Sequence, residues 1–237
     1  MKKPVLLTFL LSLVCIMGLA QNKHSVGFMV RPAWSDVANR LTTTDDFSGG
    51  FAISTGILYD YQASRRVALS GGVSFSTLSE NYQTKTLRWG SEHDGNGGWA
   101  GPDPSLPNDL EVEHTYYFLD LSLGARYYLN QGRFRLFAFP YTEGNVYLSG
   151  KTDTKLAYDD GQTSVDNLQQ QTNPNVRGIN LSAGVGVGVE VALGQSIHLV
   201  LMPSYEQMLL SMGKRVDVDE APRFYNAGVA LGVMYRP

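Results

Sequence analysis

An alternation of apolar with small or polar residues repeats in eight segments of the chain. In residues 179–191, every odd position is apolar and every even position is small or polar. Successive side chains of a β-strand point to opposite faces, so this segment predicts a strand with one apolar and one polar face. Eight such segments predict an all-β fold, an eight-stranded antiparallel up-and-down transmembrane β-barrel with its apolar face outward.

The connections between the predicted strands are alternately long and short. The strands are placed, to within a few residues at each end, at 24–31, 49–61, 66–77, 115–129, 134–148, 178–192, 197–210 and 223–236. The short connections are 62–65, 130–133 and 193–196, and the long ones are 32–48, 78–114, 151–177 and 211–222. Outer-membrane barrels carry short turns on the periplasmic side and longer loops outside. We therefore expect a protein of the cell outer membrane with its N- and C-termini in the periplasm.

The first twenty residues have the composition of an export signal. Lys2 and Lys3 precede a mostly apolar run that ends in three small residues, 18–20. We expect residues 1–20 to be a secretory signal peptide and residues 21–237 to form the outer-membrane β-barrel domain. The single cysteine, Cys15, lies within this signal, so the remaining residues offer neither disulfides nor thiolate metal sites.

Aromatic residues gather near the ends of the predicted strands, where a membrane barrel carries girdles at the headgroup level. The predicted inner girdle is Tyr59, Tyr61, Tyr127 and Tyr235, and the predicted outer girdle is Phe75, Tyr117 and Tyr225. The alternative is that these are ordinary strand aromatics. A soluble lipocalin-like barrel also has eight strands, but it would turn the Gly, Ser and Asn face of residues 179–191 to water, so we favour the membrane interpretation.

Ionisable residues on the polar faces of the strands are predicted to form a charge network in the lumen. These residues are Arg31, Asp60, Asp120, Arg126, Arg135, Glu143, Glu190, His198, Glu206 and Arg236. An eight-stranded barrel is just wide enough for side chains to fill it, and isolated buried charges are costly, so the charges must be paired or hydrated. The favoured interpretation is a closed, salt-bridged lumen. The alternative is a narrow porin-like passage for small solutes or ions.

The long loops hold the remaining candidates for function. Loop candidates are Trp89, His93, Trp99 and His114. An exposed Trp can anchor a sugar or a protein, or it can pack on the rim of its own barrel. The two histidines have Ser91, Glu92, Asp94, Glu111 and Glu113 nearby. These residues allow a Ser–His–carboxylate set for outer-leaflet lipid acylation or deacylation, or a divalent cation site. Solvated loop residues are the simpler interpretation, so we predict no enzyme activity, no catalytic residues, no metal and no cofactor.

The chain resembles the small outer-membrane β-barrel families of the OmpA/OmpX kind, especially the compact porin-family or PorT-like barrels of Bacteroidetes. The segments that carry this resemblance are the signal end 18–21, the Gly-rich strand 183–191, the hairpin 129–136 followed by Pro140 and Tyr141, and the closing strand 228–235. The resemblance covers residues 21–237 and implies a barrel in the cell envelope of a Gram-negative bacterium.

The charge and composition of the chain indicate which partners to expect. The chain carries 19 basic and 22 acidic residues and no basic patch, so nucleic acid is not an expected partner. We expect outer-membrane lipid around a monomeric barrel, and an extracellular ligand or protein bound through the loops. The predicted role is structural or surface interaction.

Overall fold

A computed structural model describes residues 23–37, 46–84, 107, 109–158, 163–170, 176–213 and 223–237. The predicted signal peptide lies outside the described residues, as do the loop candidates Trp89, His93 and Trp99. Among the residues that the structure describes, no helix is long and apolar enough to cross a membrane.

The described residues form nine antiparallel strands. They are β1 (His24–Val37), β2 (Asp46–Gln62), β3 (Val67–Thr84), β4 (Asp109–Tyr128), β5 (Phe134–Ala157), β6 (Thr163–Gln170), β7 (Ile179–Ala192), β8 (Ile197–Met208) and β9 (Phe224–Tyr235). Eight of them close into a ring in the order β4-β3-β2-β1-β9-β8-β7-β5, and the pairing of β4 with β5 completes it. The predicted eight-stranded antiparallel barrel is confirmed.

The strands of the ring are strongly staggered. A path from each residue to its paired neighbour, once around the barrel, starts at Ser25 on β1 and returns to β1 at Ser35, so the shear is ten residues. The path runs through Asp60, Ser70, Gly124, Tyr141, Gly184, Glu206 and Asn226. With about 3.35 Å per residue and about 4.8 Å between strands, this shear tilts the strands by about 41° from the barrel axis. Ten residues of such a strand rise by roughly 25 Å, the height of the apolar band of an outer-membrane barrel.

The predicted loops are partly wrong, because five strands continue into them and a ninth strand lies within one. β1 runs to Val37 and β2 begins at Asp46, whereas the sequence patterns ended at 31 and began at 49. β3 runs to Thr84, β4 begins at Asp109, and β5 runs to Ala157, whereas the sequence patterns ended or began at 77, 115 and 148. β6 pairs with β5 from Gly150 to Ala157, in a segment predicted as loop, and lies outside the ring. We call residues 78–84, 109–117, 149–157 and 163–170 the outer sheet. Residues 149–155 are small or polar on both faces, so the alternation that marks a half-buried strand is absent there, whereas residues 109–112 do alternate and were missed.

The Gly-rich face of β7 exists because the rings of β5 pack on it. Gly184 pairs with Tyr141 and Gly188 with Phe137. A Cβ atom on Gly184 would lie 2.3 Å from the Tyr141 ring, and one on Gly188 would lie 2.5 Å from the Phe137 ring. The small side of one strand thus makes room inside the narrow barrel for the bulky side of the next.

The core lies inside the barrel in two apolar clusters. The lower cluster, toward the tight turns, consists of Leu58, Ala68, Tyr128, Phe137, Phe139, Tyr141, Val200, Met202, Ala230 and Met234. The upper cluster, toward the outer sheet, consists of Ala52, Leu78, Phe118, Val176, Met208, Met212 and Phe224. Polar side chains separate the two clusters, so the lumen is a layered, packed interior.

Candidate functional site

The outer surface of the barrel is apolar, whereas its interior contains charged side chains. Leu123 on β4 is 70% exposed and Val187 on β7 is 59% exposed. Their neighbours along the strands point inward, and Arg126 and Glu190 are 0% and 1% exposed. This distribution is the reverse of that in a water-soluble barrel, which hides its apolar face inside.

The structure places the predicted girdle residues on the outer surface near the two ends of the barrel. At the end with the tight turns, Tyr59, Tyr61, Tyr127 and Tyr235 are exposed. At the other end, Phe75 is exposed and stacks on Tyr117 with ring centroids 6.0 Å apart, and Tyr225 stacks on Tyr205 at the same distance. That these residues act as membrane girdles stays a prediction.

Sequence reasoning missed two large aromatic residues at the outer end. Trp34 and Phe51 are paired in register on β1 and β2 and are both exposed. Trp34 was hidden because β1 was predicted to end at residue 31, whereas the strand continues to Val37. Phe51 lay within the predicted strand 49–61, so its signal was available. Both side chains lie at the level of the predicted outer girdle.

The first of two charge layers in the lumen lies near the tight turns. We call it the lower charge layer. Arg126 Nη1 lies 2.9 Å from Asp60 Oδ2, and Ser70 Oγ donates to Asp60 Oδ1 at 2.6 Å. The Arg126 guanidinium also lies over the rings of Phe137 and Phe139, at 5.1 and 5.6 Å from their centroids. Ion pairing and cation–π contact together hold this fully buried cation.

Glu190 is the centre of the same layer. Its carboxylate is bonded by Arg135, accepts a hydrogen bond from Tyr128 Oη at 2.8 Å, and lies 2.9 Å from His198 Nδ1. Arg236 Nη2 lies 3.4 Å from the same carboxylate. A single carboxylate therefore faces two guanidinium groups and an imidazole, and the lower charge layer holds one guanidinium more than it has carboxylates to pair.

The upper charge layer is built around Arg31. Its Nη2 atom lies 3.7 Å from Glu143 Oε2, and its Nη1 atom lies 2.7 Å from Glu206 Oε2. Tyr141 Oη accepts a hydrogen bond from Arg31 Nη1 at 2.7 Å and donates to Glu206 Oε2 at 3.3 Å. The single guanidinium is therefore shared between two carboxylates and a phenol.

Asp120 adds a third carboxylate to the upper charge layer. Asn145 Nδ2 donates to Asp120 Oδ1 at 2.8 Å, and Ser182 Oγ donates to Asn145 Oδ1 at 2.7 Å. Asp120 Oδ2 and Glu143 Oε2 are buried without a hydrogen-bond partner among the described residues. This layer therefore holds two carboxylates more than it has guanidinium groups.

All ten residues of the predicted lumen charge network lie in these two layers. Tyr128 and Tyr141 complete the layers, although sequence reasoning did not single them out. The signal was available, because Tyr128 shares the even parity of Arg126 on β4, and Tyr141 shares the odd parity of Glu143 on β5.

A cavity of about 70 Å³ adjoins the upper charge layer. Arg31, Ser54, Ser74, Tyr141 and Glu143 are among its polar lining residues. A second cavity of about 10 Å³ lies toward the outer end and shares Arg31 and Ser54 with the first. The larger cavity has room for several water molecules, but its lining is mostly apolar, so their hydrogen-bond partners are limited to its polar lining residues.

The outer end of the lumen is covered by the upper cluster. Phe118 and Tyr147 form the next inward pair of β4 and β5 above Asp120 and Asn145, and their rings contact edge to face at 5.8 Å. Further out, Val176 forms an isolated bridge with Gly213 and is buried. The chain segments that follow β6 and β8 thus meet over the mouth of the barrel.

The loop candidate His114 lies in β4, not in a loop as predicted. Its Nδ1 atom is 2.9 Å from Thr152 Oγ1, and its pairing partner on β3 is Glu80. Glu111 and Glu113, the carboxylates predicted near it, have the opposite parity on β4 and so lie on the other face of the outer sheet. Ser91, Glu92 and Asp94 lie outside the described residues.

Glu80 is a half-buried carboxyl of the outer sheet and lies beyond the aromatic level at Phe75 and Tyr117. Tyr116 Oη donates to Glu80 Oε1 at 2.7 Å. Burial raises the pKa of the Glu80 carboxyl, while the Tyr116 hydrogen bond and the charge of His114 act in the opposite direction. Burial, followed by the charge of Glu80, raises the pKa of Tyr116, so the phenol stays a donor.

No family model matches the sequence, and no curated protein matches it. Solved structures similar to this chain include Neisserial surface protein A, with 13% identity and a TM-score of 0.41 over 90% of this chain and 97% of the other. The attachment invasion locus protein Ail of Yersinia pestis has 13% identity and a TM-score of 0.38, over 92% and 100% of the two chains. A major outer membrane protein from Thermus thermophilus has 10% identity and a TM-score of 0.41, over 90% and 99%. The fold of this chain is assigned from its own closed ring of strands.

Proposed function

We propose that the protein is an integral outer-membrane β-barrel with a closed, salt-bridged lumen and a structural or surface-interaction role at its outer end. The observation that carries the proposal is the inverted distribution of side chains around the barrel wall. A belt of exposed Leu, Val, Ile and Phe surrounds buried Arg, Asp and Glu. Only a hydrocarbon surrounding makes this distribution favourable over a height of roughly 25 Å.

The layered interior supports the closed lumen. Two charge layers and two apolar clusters fill the lumen along the barrel axis, and the lower cluster overlaps the lower charge layer at Tyr128 and Phe137. A solute would have to displace the ion pair of Arg126 with Asp60, and separating such a buried pair is costly. Rigidity and closure are therefore the properties that the interior favours.

The outer sheet supports the surface role. It continues β3, β4 and β5 past the aromatic level and adds β6, so it stands beyond the apolar belt. In the proposed orientation the tight turns and the termini face the periplasm, and the outer sheet faces the outside of the cell. An extracellular ligand or protein would meet the outer sheet first.

Membrane fractionation and bilayer recording test this function. We expect the protein in the outer-membrane fraction, resistant to extraction by carbonate and urea. The purified barrel in a planar bilayer is expected to show no steady open channel. Recovery as a soluble periplasmic protein would refute the membrane assignment, and steady currents of nanosiemens size would refute the closed lumen.

Narrow ion passage is a second candidate function, and the two cavities beside Arg31 favour it. They share Arg31 and Ser54, so this one side chain lies between them. Recordings of wild type and Arg31→Ala separate the two functions. Discrete small currents in the wild type would support passage, whereas a silent wild type supports the closed lumen.

A further inference from the structure

Four exposed cations surround the end of the barrel that carries the tight turns. We call Lys23, Arg65, Arg66 and Arg133 the basic rim. Lys23 precedes β1, the two adjacent arginines lie in the turn between β2 and β3, and Arg133 lies in the turn between β4 and β5. The residue before β1 and two turns thus bring like charges to one rim.

The basic rim has no neutralising acidic side chain in the described part of the chain. The acidic side chains nearest to this end, Asp60 and Glu190, are buried in the lumen and already paired with arginines. The recorded side-chain hydrogen bond from the rim runs from Arg133 Nε to the backbone oxygen of Ala192, at 3.2 Å. Like charges so arranged repel one another and attract an external anion.

The outer sheet shows the opposite arrangement. Lys151 pairs with Asp153 at 2.5 Å, and Lys155 lies 3.6 Å from Glu111 on the neighbouring strand. Its cations are thus matched by carboxylates of the same sheet. Among the described residues, the four exposed cations of the basic rim therefore lie together without acidic partners, whereas Arg223, before β9, is a single exposed cation at the other end.

Apolar side chains fix the depth of the basic rim. Leu129 and Phe134 flank the turn that holds Arg133, and Leu193 begins the turn between β7 and β8; all three are exposed. The rim therefore lies where the apolar belt ends, at the level of lipid headgroups. Arginine presents a planar set of donors that matches the oxygens of a phosphate group, often two at a time.

We propose that the basic rim binds the phosphate groups of anionic phospholipids in the leaflet that adjoins the tight turns. The inference rests on the proposed function, because it requires the apolar belt to lie in a bilayer. The bound headgroups would fix the depth of the barrel on the periplasmic side. Each basic residue near an anionic membrane surface contributes about fivefold in affinity.

Lipid titration followed by native mass spectrometry tests the proposal. The detergent-refolded barrel is titrated with phosphatidylglycerol and with phosphatidylcholine of the same acyl chains. We expect the wild type to prefer phosphatidylglycerol by at least about a hundredfold. The variant Arg65→Gln/Arg66→Gln/Arg133→Gln keeps Lys23 and is expected to lower that preference to about fivefold or less. The matched control Lys151→Gln/Lys155→Gln/Arg177→Gln removes the same charge from the other end and is expected to keep the preference.

Three results would overturn the proposal. The first is equal binding of the two lipids by the wild type, and the second is loss of the preference in the control variant instead of the rim variant. The third is retention on purified peptidoglycan without a lipid preference, which would assign the rim to the cell wall. Insertion into lipid vesicles is measured in parallel. A barrel that does not insert refutes the proposed function, whereas one that inserts without a preference refutes this inference alone.

Discussion

The two charge layers of the lumen are built from the same residue types but differ in how well their charges are matched. In the lower charge layer, both carboxylates are held by guanidinium groups, and Glu190 also accepts from a phenol. In the upper charge layer, Arg31 is shared by Glu143 and Glu206, and Asp120 is held by Asn145 instead of a guanidinium group. We therefore expect the lower layer to act as a fixed closure, whereas the upper layer, beside the cavity, holds an excess of carboxylates.

This difference predicts opposite responses to removal of a carboxylate. In a matched layer, a lost carboxylate leaves a buried cation without its partner, and such losses cost about 3–5 kcal/mol. In a layer with excess carboxylates, the same change relieves repulsion between like charges and leaves Arg31 paired. Substitutions in the two layers therefore test the comparison directly.

The largest effect is expected for Asp60→Asn in the lower charge layer. The change leaves Arg126, which is fully buried, without a carboxylate partner. We expect the free energy of unfolding to fall by about 3–5 kcal/mol, measured by urea titration of the barrel in lipid vesicles. The control is Glu111→Gln in the outer sheet, whose exposed pair with Lys155 is worth less than about 1 kcal/mol. Equal losses for the two variants would contradict the matched lower layer.

Added methyl groups at two glycines of β7 test the packing beside each layer. Gly188→Ala pushes on the Phe137 ring below Arg126, and Gly184→Ala pushes on the Tyr141 ring beside Arg31. Each is expected to cost about 1–3 kcal/mol in the same titration. The control Gly144→Ala meets nothing within 4 Å and is expected to cost less than either. If all three variants unfold alike, the lumen is not closely packed at these rings.

Glu143→Gln in the upper charge layer is expected to have a small effect. Arg31 keeps its closer contact with Glu206, and one of the excess carboxylates is gone. We predict that the free energy of unfolding changes by less than about 1 kcal/mol in either direction, which is much less than the loss expected for Asp60→Asn. A loss as large as that of Asp60→Asn would show that both layers depend equally on their ion pairs.

The smallest effect is expected in the outer sheet, from the titration of Glu80. Because burial raises the pKa of its carboxyl, the folded sheet binds this proton more tightly than the unfolded chain. The contribution of Glu80 to stability is therefore fully present below its unfolded pKa and is lost as the pH rises through the folded pKa. The pH dependence of amide hydrogen exchange in β3 and β4, compared between wild type and Glu80→Gln, measures this contribution to the stability of the outer sheet. A pH dependence that the substitution leaves unchanged would rule out Glu80 as its source.

The ring of the barrel could be predicted from sequence because its strands have a strong contrast between faces. Residues 179–191 show this contrast at every position, and their parity alone places Glu190 in the lumen. The outer sheet could not be predicted in the same way. In the outer end of β5, for example, every residue from 149 to 155 is small or polar, so the two faces do not differ and the segment resembles a loop.

The odd or even position of a residue along its strand also explains how much of the candidate site could be predicted from sequence. It assigns the charged residues to the interior, but it does not say which of them meet. The shared position of Arg31 between Glu143 and Glu206 depends on the pairing of β5, β7 and β8 around the shear of the barrel. That stagger is set by all eight strands together, so it cannot be predicted from the sequence of any single strand.

The central claim is that hydrocarbon surrounds the barrel wall, and the substitution Leu123→Arg tests it most directly. Leu123 is 70% exposed, near the middle of the apolar belt, whereas Leu129 is exposed at its edge. We predict that Leu123→Arg lowers the free energy of unfolding in lipid vesicles by about 2–4 kcal/mol, and that Leu129→Arg costs about 0–1 kcal/mol. An exposed leucine of a water-soluble barrel would tolerate arginine to within about 0.5 kcal/mol, and that result at Leu123 would contradict the account.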